Sequence, residues 1–108
     1  MNYLGIDYGE KNIGLAIGDD ELKIATPLSI VHNIVAVREI IKTRNIDKIV
    51  IGLALGTRGE TEQTAKTREF AKNFPEAILI DERFTTRLGK NDASAAALIL
   101  QTHLDRLK

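Results

Sequence analysis

The chain has no cysteine and no tryptophan, only two prolines in 108 residues, and five aromatic side chains: Tyr3, Tyr8, Phe70, Phe74 and Phe84. Without cysteine there can be no disulfide and no thiolate metal site. The aromatics are too few and too scattered to build a stacking platform for bases, so any nucleic acid would be held by phosphate and shape rather than by base sequence. Net charge is missing as well, with 15 Lys plus Arg against 15 Asp plus Glu. Overall charge therefore argues for neither a nucleic-acid nor a membrane partner. The distribution is less even: residues 1–31 hold five acids and two bases, a net of −3, which leaves +3 for the remainder. That split permits a basic face. The start has no basic region followed by an apolar stretch, and no long apolar run occurs anywhere. Neither a signal peptide nor a membrane span is expected, and a cytoplasmic location follows. The length suits one domain, residues 1–108.

What is present is punctuated by turns. Residues 3–7 form an apolar run that stops at Tyr8-Gly9. The turn Gly9-Glu10-Lys11-Asn12 contains two residues that accept positive φ. Ile13 to Ile17 is a second strand, Gly18-Asp19-Asp20 turns again, and Ile24 to Val31 is a third, in which Pro27 predicts an edge strand or a bulge. Helical spacing then takes over at Ile34, Val37, Ile40 and Ile41, with Asn33 as N-cap and Asn45 as a left-handed stop. Lys48 to Leu53 is a buried strand. A helix follows from about Glu60 to Asn73, its inner face drawn by Ala65, Phe70, Ala71 and Phe74 and its end marked by Pro75. Ala77 to Ile80 is the last strand. Ala93 to Leu107 is the last helix, with Ala96, Leu100, Leu104 and Leu107 as its inner stripe. The order β-β-β-α-β-α-β-α predicts an α/β fold: a mixed five-stranded sheet, an antiparallel three-strand meander followed by alternating strands and helices, with helices on both faces.

Acidic residues fall at the ends of these elements. Asp7 closes the first strand, Asp81 and Glu82 follow the last, and Asp92 opens the final helix. Open α/β sheets place their sites at the carboxyl ends of strands. Phosphodiester hydrolysis at neutral pH needs an activated water and a stabilised leaving oxygen, which two metal ions held by a few carboxylates can supply. Asp7, Glu82 and Asp92 are the candidate catalytic and metal-holding acids for Mg2+ or Mn2+. Each also fits a plainer role: Asp7 as the start of a turn, Glu82 in a surface ion pair with Arg83 or Arg87, Asp92 as a helix N-cap. The joint occurrence carries the argument. Asp81 ranks second, because it alternates with Glu82 along an extended segment.

Leu4 to Ala16, Ile49 to Leu53 with the loop after it, Asp81 to Thr86 and Asp92 to Gln101 together resemble, in order and over nearly the whole chain, the YqgF family, also called RuvX. The resemblance implies an RNase H-like fold related to the RuvC Holliday-junction resolvases. It also implies metal-dependent nuclease activity on structured nucleic acid, processing of the 5′ end of pre-16S rRNA in ribosome biogenesis, and catalytic acids at Asp7, Glu82 and Asp92. Ala54 and Gly56 stand where the family usually has Pro and Asn. Residues 87–91 replace a longer connection; the six steps from Thr86 to Asp92 span at most about 20 Å.

Lys11 and Asn12 beside Asp7, Arg58 before a helix start, and Arg83, Thr85, Thr86 and Arg87 around the second acid are the expected contacts to nucleic-acid phosphates. The other readings are a Holliday junction resolvase acting on DNA, a non-catalytic nucleic-acid- or ribosome-associated module, and a phosphotransferase-like ATP-binding domain. The last arises because Asp7-x-Gly9-x-x-x-x-Gly14 also resembles the phosphate hairpin of sugar kinases and actin-like ATPases. The expected partners are structured RNA or branched DNA and a ribosome precursor, for a monomer or homodimer with no membrane contact. His32 and His103 have no neighbour at metal-ligand spacing.

Overall fold

The computed structural model describes residues 1–55, 59–81 and 92–107, of Asp92 only the backbone. Five strands, β1 (Asn2–Tyr8), β2 (Ile13–Asp19), β3 (Thr26–Val31), β4 (Lys48–Leu53) and β5 (Ile78–Asp81), form one sheet in the order β3-β2-β1-β4-β5. The three-strand meander is antiparallel, and β4 and β5 add to it in parallel. Helices α1 (Ile34–Thr43), α2 (Glu62–Ala71) and α3 (Asp92–Asp105) complete the fold.

Alternation along each strand divides the core in two. Leu4, Ile6, Leu15 and Ile51 pack with Val37 of α1, with Phe70 and Ala71 at the end of α2 and with Phe74 just beyond it. Tyr3, Ala16, Val50 and Ile80 pack on the other face against Ala96, Ile99, Leu100 and Leu104 of α3. The sheet therefore has helices on both faces, as expected.

Local chemistry explains most boundaries. Asn33 accepts a hydrogen bond from the Ala36 amide at 2.9 Å and starts α1. Asn45, with φ 52°, takes the chain out of it. Pro27 lies on the edge strand β3, opposite Ala16, where the register shifts; edge and bulge coincide because proline has no amide to offer a ladder.

Two expectations are corrected. Ala65 is exposed, and the inner face of α2 is Thr64, Thr67, Phe70 and Ala71, with both threonines almost fully buried. Their hydroxyls make this possible. Thr67 Oγ1 donates to the Gln63 carbonyl and Thr64 Oγ1 to the Ala54 carbonyl, so neither of these two buried hydroxyls is left unsatisfied. Neither Gly9 nor Asn12 takes positive φ; Lys23 does, at 56°, in the next turn. Glycine is needed at position 9 for closeness instead, since a Cβ there would lie 2.7 Å from the Asn12 carbonyl oxygen. The turn holding Lys23 is clamped to α3 by Gln101, which accepts from the Ala25 amide at 2.8 Å and donates to the Lys23 carbonyl at 2.7 Å.

Candidate functional site

Asp7 occupies the penultimate position of β1. Tyr3 belongs to the face covered by α3, and alternation carries Gly5 and Asp7 to that face. Its neighbour on β2 is Gly14. On β4, one step beyond the Ile6–Ile51 pair, stands Gly52, which shares the α3 face with Val50. The half-buried carboxyl group is thus flanked on both sides by strand positions without side chains.

Helix α3 descends onto this point. The Tyr3 and His103 rings meet at 5.6 Å, whereas a Cβ at Gly5 would sit 2.7 Å from Leu100 Cβ and 2.8 Å from the Ala96 carbonyl oxygen. Moving up β1 therefore means moving back along α3, so the two run antiparallel in near contact. Two residues of strand beyond Gly5 cover about 6.6–6.8 Å. Asp92 lies four residues back from Ala96 and eight back from Leu100, about 6 and about 12 Å along the helix. The start of α3 at Asp92 therefore lies toward the same end of the sheet as Asp7. An anion beside a helix N-terminus is stabilised by the unpaired amides and the helix dipole, which suits a carboxylate or a phosphate at this spot.

The other expected residues distribute as follows. Lys11 and Asn12 are exposed in the turn after β1, on the rim beside Asp7; the Lys11 carbonyl contacts His32 Nδ1 at 3.1 Å. Alternation places Asp81 with Leu79 on the sheet face opposite Ile80 and hence opposite Asp7. Arg58, Glu82, Arg83, Thr85, Thr86 and Arg87 lie outside the described residues. Among the described residues no group of three His, Cys, Asp or Glu side chains could hold a metal ion. Asp7 offers the hard oxygen donor that Mg2+ takes.

Sequence reasoning missed the first turn of α2, which braces this end of the sheet from behind. Thr61 and Thr64 cap each other's backbone amides, with Thr61 as N-cap, a motif overlooked because its third position is threonine rather than Glu or Gln. Gln63 Nε2 donates to the Tyr8 carbonyl at 3.1 Å. Tyr8 stacks on Phe70 with ring centroids 4.4 Å apart. Lys66 pairs with Glu10 in the first turn. The hydrogen bond and charge of Lys66 hold the Glu10 carboxyl below its usual pKa, and the same bond raises that of Lys66.

The sheet order, the mixed strand directions and the helices on both faces define an RNase H-like α/β fold, and comparison with solved structures agrees. T. thermophilus RuvC in complex with Holliday junction substrate superposes with a TM-score of 0.62 at 14% identity, covering 96% of this chain and 93% of that one. A second Thermus thermophilus RuvC structure gives 0.56 at 14% identity. The chain belongs to the RuvX family, described as "RuvX: Holliday junction resolvase", which it matches over residues 1–106. A protein of Sulfurihydrogenibium sp. (strain YO3AOP1), named "Putative pre-16S rRNA nuclease", is 39% identical over 130 residues, covering 96% of this chain and 90% of that protein. A protein of the same name from Anaeromyxobacter sp. (strain Fw109-5) is 35% identical over 133 residues, covering 97% of each. The first alignment runs over 130 positions, of which 96% of this 108-residue chain fills only about 104, so that relative carries residues this chain lacks. Among the described residues no helix is long and apolar enough to cross a membrane.

Proposed function

We propose that residues 1–108 form one domain that acts as a metal-dependent nuclease on structured nucleic acid, processing the 5′ end of pre-16S rRNA. Asp7, Glu82 and Asp92 are its catalytic and metal-holding acids. The observation that carries this reading is the antiparallel contact of α3 with β1 at Gly5, which directs the start of α3 toward the end of the sheet that holds Asp7. Membership of the RuvX family and the names of the relatives support the reaction class.

Bound Mg2+ or Mn2+ would supply an activated water and charge neutralisation at the leaving oxygen. The chain's own part is to hold anionic oxygens at one point and to seat the phosphates around them. Asp7 is aimed by a strand rather than a loop. The amides opening α3 attract a phosphate, and Lys11, Asn12, Arg58, Arg83, Thr85, Thr86 and Arg87 are the proposed contacts to the nucleic-acid backbone.

The test offers a structured RNA carrying a 16S 5′ flank and a four-way DNA junction side by side, with Mg2+, with Mn2+ and with chelator. Metal-dependent cutting of the RNA is expected. Cutting of the junction in preference would instead support the resolvase reading, which the family description favours. Binding without cutting would leave a non-catalytic module.

A further inference from the structure

We infer that Gln63 is a positioning residue for the Asp7 carboxylate, acting through the Tyr8 backbone, and that the first turn of α2 couples the carboxyl ends of β1 and β4. The inference rests on reading Asp7 as a metal-holding acid.

The ladder between β1 and β4 ends at the Ile6–Ile51 pair, two residues before β1 itself ends. In that stretch Asp7 and Tyr8 are paired with Gly14 and Ile13 of β2, up to the Gly9 turn. Side chains of α2 add a second hold from behind the sheet. Gln63 donates to the Tyr8 carbonyl, and the ring of Phe70 stacks on the ring of Tyr8, so both the backbone and the side chain of the residue after Asp7 are fixed. Lys66 fastens Glu10, two residues further on. Positions 63, 66 and 70 share one stripe of the helix.

The next residue, Thr64, grips the neighbouring strand. Its buried hydroxyl donates to the Ala54 carbonyl just beyond β4, while accepting from the Thr61 amide at 3.0 Å. Consecutive side chains of one helical turn thus hold the ends of the two adjacent strands that flank the candidate centre. Tyr8 faces α2 and Asp7 faces α3, so the support comes from behind the sheet and touches no substrate. Outer contacts of this kind orient a ligand, and their removal typically costs about 10–100-fold in metal affinity or activity.

The experiment uses the full chain with Mn2+ as probe, binding being read by electron paramagnetic resonance and cleavage on the RNA described above. Gln63→Met keeps the length and removes the donor; Gln63→Lys restores a donor. The Met variant should bind Mn2+ about ten-fold more weakly and lose kcat with KM for RNA unchanged, as expected when aim rather than substrate binding is lost. The Lys variant should recover most of both. Should Gln63→Met not fold, Gln63→Glu takes its place; it sets an acceptor against the Tyr8 carbonyl and should weaken Mn2+ binding likewise. Unchanged Mn2+ affinity and kcat in the folded variant overturn the inference. Asp7→Asn, run in parallel, separates the two readings. If it still binds Mn2+ and cuts, the centre itself is misassigned. If it loses both while the Gln63 variants lose neither, only the positioning role fails.

Discussion

A Cβ atom on Gly5 would lie 2.8 Å from the carbonyl oxygen of Ala96, so β1 and α3 touch backbone to backbone at that point. This contact sets the height of α3 over the sheet and thereby the position of its first residue relative to Asp7. Any larger residue at Gly5 has to lift the helix, because one of the obstructing atoms is backbone and the other is a Cβ, neither of which can swing aside.

Gly5→Ala should therefore destabilise the protein by about 1–3 kcal/mol through overpacking, read as a lower urea midpoint at unchanged slope. Cleavage by the remaining folded protein should fall too, since the start of α3 moves away from Asp7. A variant with wild-type stability and activity would show that the helix is free to shift without consequence.

Asp7→Asn should lower cleavage by about 100-fold or more, the scale of removing a preorganised charge from an active site. The fold should persist, with stability changing by no more than about 1 kcal/mol for the loss of an anion near a helix N-terminus. Asp92→Asn should also cut poorly. Asparagine caps helices as well as aspartate does, so full activity in that variant would leave Asp92 a structural role only.

Gln101→Leu removes both hydrogen bonds that tie the Lys23–Ala25 turn to α3. A cost of about 1–3 kcal/mol is expected for leaving the half-buried partners unsatisfied. This clamp lies at the end of the sheet away from Asp7, so cleavage per folded molecule should not change. Parallel melting and cleavage measurements separate the two effects.

Burial against Tyr3, with a smaller contribution from the charge of Arg106, lowers the pKa of His103 below its usual value. A base whose folded pKa is depressed binds protons more readily when the chain is unfolded. Stability is thus fully present above the ordinary histidine range near pH 6.5 and declines as pH falls through it toward the lower folded value. Urea midpoints at pH 7.5 and 5.5 should show the decline, and His103→Gln should reduce it. An equal decline in both proteins would assign it to other groups.

Much of this architecture is legible in the sequence because local chemistry governs it. Asn33 and Asn45 bracket α1, Pro27 marks an edge and a bulge together, and the stripe Ala96, Leu100, Leu104 is the face that α3 buries. The inner face of α2 is not legible in the same way. Periodic apolar residues are sparse there, and Thr64 is buried because a carbonyl ten residues earlier accepts its hydroxyl, a partner that only the tertiary fold supplies. The site divides similarly. Alternation along β1 puts Asp7 on a definite face once any neighbour's face is known. Its framing by Gly14 and Gly52 depends on strand order and register, and the brace from Gln63 on how α2 crosses behind the sheet.

The central claim is that acidic side chains from separate elements meet at Asp7 and hold divalent cations. Crystals of the full chain grown with Mn2+ and measured at a wavelength where manganese scatters anomalously test it most directly. The expected result is manganese within about 2.5 Å of an Asp7 carboxylate oxygen, with Glu82 and Asp92 completing the set. Manganese bound only elsewhere, with the Asp7 carboxylate coordinating nothing and Asp92 turned to solvent, would contradict it.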